Sequence, residues 1–264
     1  MHDVYMSYWS AGYQKDPNEN VLLLTKIANH IANKYFRNVY LITDSRSQHL
    51  FRKMQWAGVS TDLDLLNRDL GGIWSLGKIM AYKIAAEKRR PFIHLDYDVM
   101  LWNGMPKKIS NAEVFAQNQE PNSDHVYEID KLLKNCPYKS YIAQIRQNDA
   151  ANMGIFGGTN TNFIYTYANS ALDFANHPQN YKFWTSFTEF SYTWNMATIV
   201  EQYFMVTMSH IMSQKITYLF DNGWPTDNEA KEQSYTHFMG DKDHPRLKEK
   251  IESIAAQNNL NLHI

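Results

Sequence analysis

Three Asp-x-Asp triplets occur in the sequence: Asp62/Asp64, Asp96/Asp98 and Asp241/Asp243. About one such triplet is expected by chance in a chain of this aspartate content, so spacing alone selects none of them. Context does. Asp96 and Asp98 end an apolar run that begins at Pro91-Phe92-Ile93-His94-Leu95 and resumes at Val99-Met100-Leu101-Trp102. The other two pairs lie in polar, mixed-charge surroundings and read as solvated or helix-capping carboxylates. On an extended backbone residues i and i+2 point to the same side, so the run predicts a strand whose end presents two carboxylates to one point. Adjacent anions repel and raise one another's pKa unless a cation lies between them. The chemistry implied is a divalent metal held by hard oxygens. A strand-end turn that binds nothing is the plain alternative.

The elements that must position this pair are legible upstream. Val4 to Trp9 alternates as a first strand, ending at Ser10-Ala11-Gly12. Asn18 to Asn38 carries Leu23, Leu24, Ile27, Ile31 and Tyr35 at helical spacing. Val39 to Thr43 is a second strand, stopped by Asp44-Ser45, and Ser47 to Trp56 is a helix closed by Gly58. Gly77 to Arg90 is a helix leading into the motif strand. This alternation predicts an α/β sandwich of Rossmann type, with a mainly parallel central sheet and helices on both faces. Ligands of such sheets sit at the carboxyl ends of the strands. That rule places Ser7 to Gly12, Thr43 to Ser45 and Asp96 to Asp98 on one rim.

Beyond Trp102 the pattern is less regular. Glu113 to Gln117 is strand-like, Glu120 to Ser140 is a polar insertion, and Tyr141 to Arg146 is strand-like again. Asn152 to Gly158 has three glycines in an apolar setting, which fits a tight bend or a close backbone approach. Thr161 to Asn176 and Asn195 to Ser213 read as helices, Lys215 to Phe220 as a last strand, and Pro245 as the start of a terminal helix. With no repeat or low-complexity linker, residues 1–264 read as one domain, 1–102 forming a nucleotide-binding half and 103–264 an acceptor-binding half.

Bulk composition excludes several classes. The chain is 44% hydrophobic, ample for a core, and no apolar run reaches the roughly 18 residues that a membrane span needs. Met1-His2-Asp3 leads straight into strand-like sequence, without the pattern of a signal peptide. The single cysteine, Cys136, excludes an intramolecular disulfide and suits a reducing cytosol, so a cytoplasmic location is expected. A formal net charge of −1 gives no reason to expect nucleic acid. Aromatic content of 14% fits a protein that stacks rings on sugars or bases.

The ordered set Lys78, His94-Leu95-Asp96-Tyr97-Asp98, Asn152-Met153-Gly154 and His237-Phe238-Met239-Gly240-Asp241-Lys242 resembles the nucleotide-sugar glycosyltransferases of the GT-A fold. The nearest pattern is that of glycogenin-like family 8 enzymes and related bacterial polysaccharide transferases. The resemblance implies that Asp96 and Asp98 bind metal and donor, with Tyr97 between them, and that His237 is a third metal ligand. It further implies that Gly240 and Lys242 close over the donor diphosphate, that Lys78 helps to bind the donor, and that Asn152 lies near the donor sugar. Glu201-Gln202 falls where the family often has Asp-Gln. The sequence departs from the family after Gly240, where Asp241-Lys242-Asp243-His244-Pro245 replaces the usual x-x-Lys-Pro-Trp.

The expected activity is glycosyl transfer from a nucleotide-sugar, by resemblance a UDP-sugar, to a glycan or other hydroxyl acceptor, as in polysaccharide biosynthesis. A divalent metal bridging the phosphates stabilises the leaving diphosphate. The imidazole in the ligand set favours Mn²⁺ over Mg²⁺. Ser7, Trp9, Thr43 and Asp44 are the expected nucleoside pocket. An inverting reaction needs a carboxylate base, for which Glu201, Asp149 and Asp221 are candidates. Two rivals share the motif: a haloacid-dehalogenase-like Mg²⁺-dependent phosphatase with Asp96 as nucleophile, and a non-catalytic nucleotide-sugar binding module.

Overall fold

A computed structural model describes residues 2–120, 132, 135–138, 150–186, 190–239 and 244–258. A seven-stranded sheet forms its centre, built from β1 (Asp3–Tyr8), β2 (Val39–Thr43), β3 (Gly58–Ser60), β4 (Phe92–Leu95), β6 (Phe115–Glu120), β7 (Ala150–Gly158) and β8 (Thr217–Phe220). The strand order is β3-β2-β1-β4-β7-β6-β8. The pairs β1–β2, β1–β4, β2–β3 and β6–β8 are parallel, while β7 runs antiparallel to both neighbours. A second, two-stranded sheet pairs β5 (Val99–Leu101) with β9 (Tyr235–His237). This is the α/β architecture with a mainly parallel sheet that the sequence predicts.

Side chains alternate across the sheet and so sort into two cores. Val4, Met6, Leu41, Ile93 and Leu95 pack with the helix Glu19–Tyr35 and the terminal helix Leu247–Gln257 on one face. Tyr5, Ile42, Phe92 and Phe156 pack on the other face. There they meet the helix Ser75–Glu87, the helix Thr161–Asn176 and the long helical stretch Phe190–Ile211. Asn18 caps the helix Glu19–Tyr35 by accepting the Val21 N–H at 2.9 Å.

Several boundaries differ from expectation, each for a tertiary reason. Ser47 to Trp56 is helical only over Gln48–Phe51, and Gly58 opens the edge strand β3 instead of closing a helix. The glycine-rich Asn152 to Gly158 belongs to a nine-residue buried strand, not to a bend between strands. The helix expected from Asn195 starts at Phe190 and contains a π-helical segment, Ile199–Tyr203. Tyr141 to Arg146 and most of the polar insertion lie outside the described residues.

Glycines make the close packing of β7 possible. A Cβ on Gly157, where φ is +156°, would stand 2.1 Å from the Phe92 carbonyl oxygen of the paired strand β4. Backbone on both sides cannot yield as a side chain could. Gly157→Ala is therefore expected to lower unfolding free energy by at least about 2 kcal/mol in denaturant titration. A loss within experimental error would show that β7 can shift against β4.

Candidate functional site

Strand β4 ends at Leu95, and the chain turns. The Asp96 N–H donates to Gly154 O at 2.9 Å, and the Asp96 carbonyl accepts the Val99 N–H at 3.0 Å. Asp96-Tyr97-Asp98 is thus a tight turn between β4 and β5, which corrects the expectation of two carboxylates side by side on an extended strand. Convergence is achieved by the second sheet instead. Val99 pairs with His237 in the β5–β9 ladder, and the Phe238 N–H donates to Asp98 O at 2.9 Å. Ligand atoms of Asp96, Asp98 and His237 consequently all lie within 4.8 Å of one another. His237 Nε2 stands 3.7 Å from Asp98 Oδ2. Two carboxylates and one imidazole are a donor set for Mn²⁺ or Mg²⁺.

A buried amide orients the imidazole. Gln117 Oε1 accepts the Tyr235 hydroxyl at 2.5 Å and contacts His237 Nδ1 at 2.8 Å. With Nδ1 carrying the proton toward that oxygen, Nε2 presents its lone pair to the carboxylates, the tautomer a metal ligand needs. The local fold explains the geometry. Between the pairs Ala116–Phe156 and Asn118–Asn152 the register slips, so Gln117 stands opposite Met153 to Ile155. Such an irregularity re-aims a side chain. The imidazole occupies the space beside Gly154, where a Cβ would lie 2.7 Å from His237 Cε1. The close approach expected at this glycine is to a side chain of the site itself.

Lys78 compensates charge behind the turn. Its ammonium lies 3.0 Å from Asp96 Oδ2 and 2.7 Å from Glu201 Oε1, and 3.4 Å from Met153 O. Burial alone would lower its pKa, but the two carboxylates outweigh that and raise it, so the lysine is charged. Burial pushes the Asp96 carboxyl up from 3.8 to about 6, against the opposing pull of Lys78. His94 is held well below its ordinary value by burial and by the Lys78 charge, and stays neutral. Its Nε2 hydrogen-bonds Ser7 Oγ at 2.9 Å.

Lys78, Asp96, Asp98 and His237 face a cavity of about 300 Å³ that Tyr13, Trp74, Tyr97, Glu120, Asn152 and Gln202 also line. Trp194, Trp224 and Met239 stand at its rim. Of the residues singled out by sequence, Lys78, Asp96, Tyr97, Asp98, Asn152 and His237 are brought together here. Others are not. Ser7, Trp9, Thr43 and Asp44 lie on the expected rim but are buried and engaged with the protein. Asp44 accepts Ser10 N–H and Oγ–H and Ser47 N–H and Oγ–H at 2.6–2.8 Å, stitching two loops together. Trp9 packs against Gly12 and Gly77. Glu201 is fully buried behind Lys78, taking a hydrogen bond from the Tyr82 hydroxyl at 2.7 Å, and lines no part of the cavity. Asp221 is exposed and paired with Lys108 at 2.7 Å, away from the cavity. Asp149, Gly240 and Lys242 lie outside the described residues, as do Asp241 and Asp243. Asp64 accepts the Ser45 N–H at 3.1 Å, an exposed contact with the turn after β2 and not a helix cap.

Sequence reasoning missed Gln117, Glu120 and the indoles of Trp74, Trp194 and Trp224. Glu120 ends β6 and accepts Asn152 Nδ2–H at 3.1 Å. Nothing local marks these positions, because their role comes from strand pairing between distant segments. The π-helical turn that carries Glu201 and Gln202 is likewise a tertiary feature.

Several solved structures resemble the chain in shape. The crystal structure of mouse xyloside xylosyltransferase 1, apo form, is 12% identical, with 100% of this chain and 95% of that one covered at a TM-score of 0.43. The galactosyltransferase LgtC in complex with donor and acceptor sugar analogues is 9% identical, with 99% and 98% covered at a TM-score of 0.41. The PaToxG glycosyltransferase is 13% identical, with 98% and 84% covered at a TM-score of 0.37. These likenesses lie too low to transfer any residue's role. No curated protein matches the sequence. Residues 11–258 match a family described as one of unknown function (DUF6734), and with nearly the whole chain covered the protein belongs to that family.

Proposed function

We propose that this protein is a metal-dependent glycosyltransferase that moves a sugar from a nucleotide-sugar donor, a UDP-sugar, to a hydroxyl of a glycan acceptor. The observation that carries this reading is the convergence of Asp96, Asp98 and His237 at one wall of an aromatic-lined cavity. Those three residues would hold Mn²⁺, and the bound ion would supply charge stabilisation for the departing diphosphate. Lys78 fixes Asp96 rather than reaching for phosphate, since its ammonium is already shared between two carboxylates. Gln202 and Asn152 face the cavity and are available to the donor sugar. If the reaction inverts, Glu120 is the carboxylate that lines the cavity outside the metal set and is our candidate to take the acceptor proton, in place of Glu201 and Asp221. The phosphatase reading fits less well, because it needs the motif after the first strand and here it follows β4.

Thermal denaturation with UDP, with and without Mn²⁺, tests the proposal. At a hundredfold excess over Kd, UDP with Mn²⁺ is expected to add about 2.7 kcal/mol of stability, and neither Mn²⁺-free UDP nor the Asp98→Ala variant should show it. Hydrolysis of a generic phosphate ester with an aspartyl adduct trapped at Asp96 would replace this reading with the phosphatase. UDP-sugar binding without hydrolysis or transfer would leave a binding module.

The raised Asp96 pKa sets a pH dependence. Its folded-state value near 6 lies above the unfolded 3.8, so the metal-free fold loses stability as pH rises between them, while metal binding requires the deprotonated form. Mn²⁺ affinity measured by calorimetry is expected to be flat above about pH 7 and to fall about tenfold per unit below pH 6. An affinity unchanged down to pH 5 would remove Asp96 from the ligand set.

Gln117 provides a second check. Gln117→Leu is expected to weaken Mn²⁺ binding about 10- to 100-fold by releasing the imidazole. Unchanged affinity in a folded variant would show that Gln117 does not orient His237.

A further inference from the structure

Trp194 and Trp224 are 43% and 48% exposed, the two tryptophans among the described residues that stand in solvent to this degree. Both rim the metal-side cavity, and Met239, 47% exposed, stands with them. Single exposed apolar residues mean little, but large ones gathered at the mouth of one polar site mark a binding surface. Trp224 has a second face. It also lines a neighbouring cavity of about 520 Å³ that shares His237 with the first. The indole therefore forms a ridge between two hollows.

The second hollow differs in chemistry from the first. Asn228, Thr236, Gln257 and Asn258 line it with uncharged polar groups, and Asp227 offsets Lys231 and Lys250 in part. Gln117, fully buried in its wall, has a side-chain Nε2 with no hydrogen-bond partner among the described residues. A lipid would need an apolar lining, and a polyanion a basic one. A pyranose chain fits both features, because its C–H faces stack on indoles while its hydroxyl edges take hydrogen bonds from amides.

We propose that the acceptor is an extended saccharide that crosses Trp224, with its terminal ring between Trp224 and Trp194 beside the metal residues and its preceding rings in the second cavity. This rests on the transferase reading and names the acceptor class for the same site. Single sugars occupy only the first hollow and bind weakly. Chain length is recognised at the second.

The test uses the whole chain with Mn²⁺ and UDP on an array of immobilised mono-, di-, tri- and hexasaccharides. Retention is expected to rise about tenfold or more from monosaccharides to trisaccharides. Trp224→Ala should lose about tenfold of that retention, with Trp224→Phe intermediate. A double variant, Asn228→Ala with Gln257→Ala, touches only exposed residues of the second hollow. It should weaken trisaccharides while leaving monosaccharides as in the wild type. An array with no saccharide retained, retention independent of length, or Trp224→Ala behaving as wild type would each overturn the inference. A blank array on protein that UDP and Mn²⁺ stabilise refutes the acceptor and leaves the donor reading standing. Retained saccharides on protein that UDP and Mn²⁺ do not stabilise refute the donor reading instead.

Discussion

The site depends on how buried charge is compensated around Lys78. Two carboxylates, those of Asp96 and Glu201, flank one ammonium, and a third, that of Asp98, lies beside His237, with Glu201 fully buried and Asp98 1% exposed. Removing such groups from water costs several kcal/mol each unless opposite charge and hydrogen bonds replace the solvent. Lys78 supplies one positive charge and His94 none. With all three carboxylates ionised, two negative charges are left over. A divalent cation would balance that charge, and the imidazole and two of the carboxylates lie where they could hold it. Burial, and after it the neighbouring Asp98 and Glu201 carboxylates, raise the Asp96 pKa against the pull of Lys78, so that a proton competes for the same place.

Backbone pairing turns this electrostatic requirement into a geometry. Asp96 is tied to β7 through Gly154, and Asp98 to β9 through Phe238. One residue on, the β5–β9 ladder places His237 opposite Val99. Gly154 is glycine because the imidazole and the Gln117 amide fill the volume of its missing side chain. Each ligand is fixed by hydrogen bonds in a strand or strand end, which holds a site more firmly than a free loop would.

Sequence reading recovered the parts governed by local pattern. The strands Val39–Thr43 and Phe92–Leu95 and the helix Thr161–Asn176 announce themselves by apolar runs and helical spacing, and the structure has them at those positions. Asp96, Asp98, His237, Lys78 and Asn152 were legible as an ordered set and do meet in space. Ser7, Thr43 and Asp44 illustrate the limit. Their place on the rim followed from strand order, but whether a rim side chain faces a ligand or binds its neighbour depends on loop packing. Asp44 binds its neighbours. Glu201 shows a related limit. A carboxylate reads the same in sequence whether it faces acceptor or ammonium, and only the fold shows that Lys78 lies between it and the cavity.

The turn at Asp96-Tyr97-Asp98 finally makes its two carboxylates unlike each other. On an extended strand they would be equivalent neighbours sharing one environment. Here Asp96, its side chain 19% exposed, faces Lys78, while Asp98, buried, faces His237. One carboxylate is fixed from behind by a cation, and the other lies beside an imidazole. The first therefore responds to whatever holds Lys78, including Glu201, Tyr82 and the π-helical turn. The second responds to whatever holds His237, including Gln117 and Tyr235. Two chains of contacts, from opposite sides of the cavity and distant parts of the sequence, meet at adjacent residues. Substitutions remote from the cavity should thus separate into those acting through Asp96 and those acting through Asp98, a division that the spacing of the motif does not reveal.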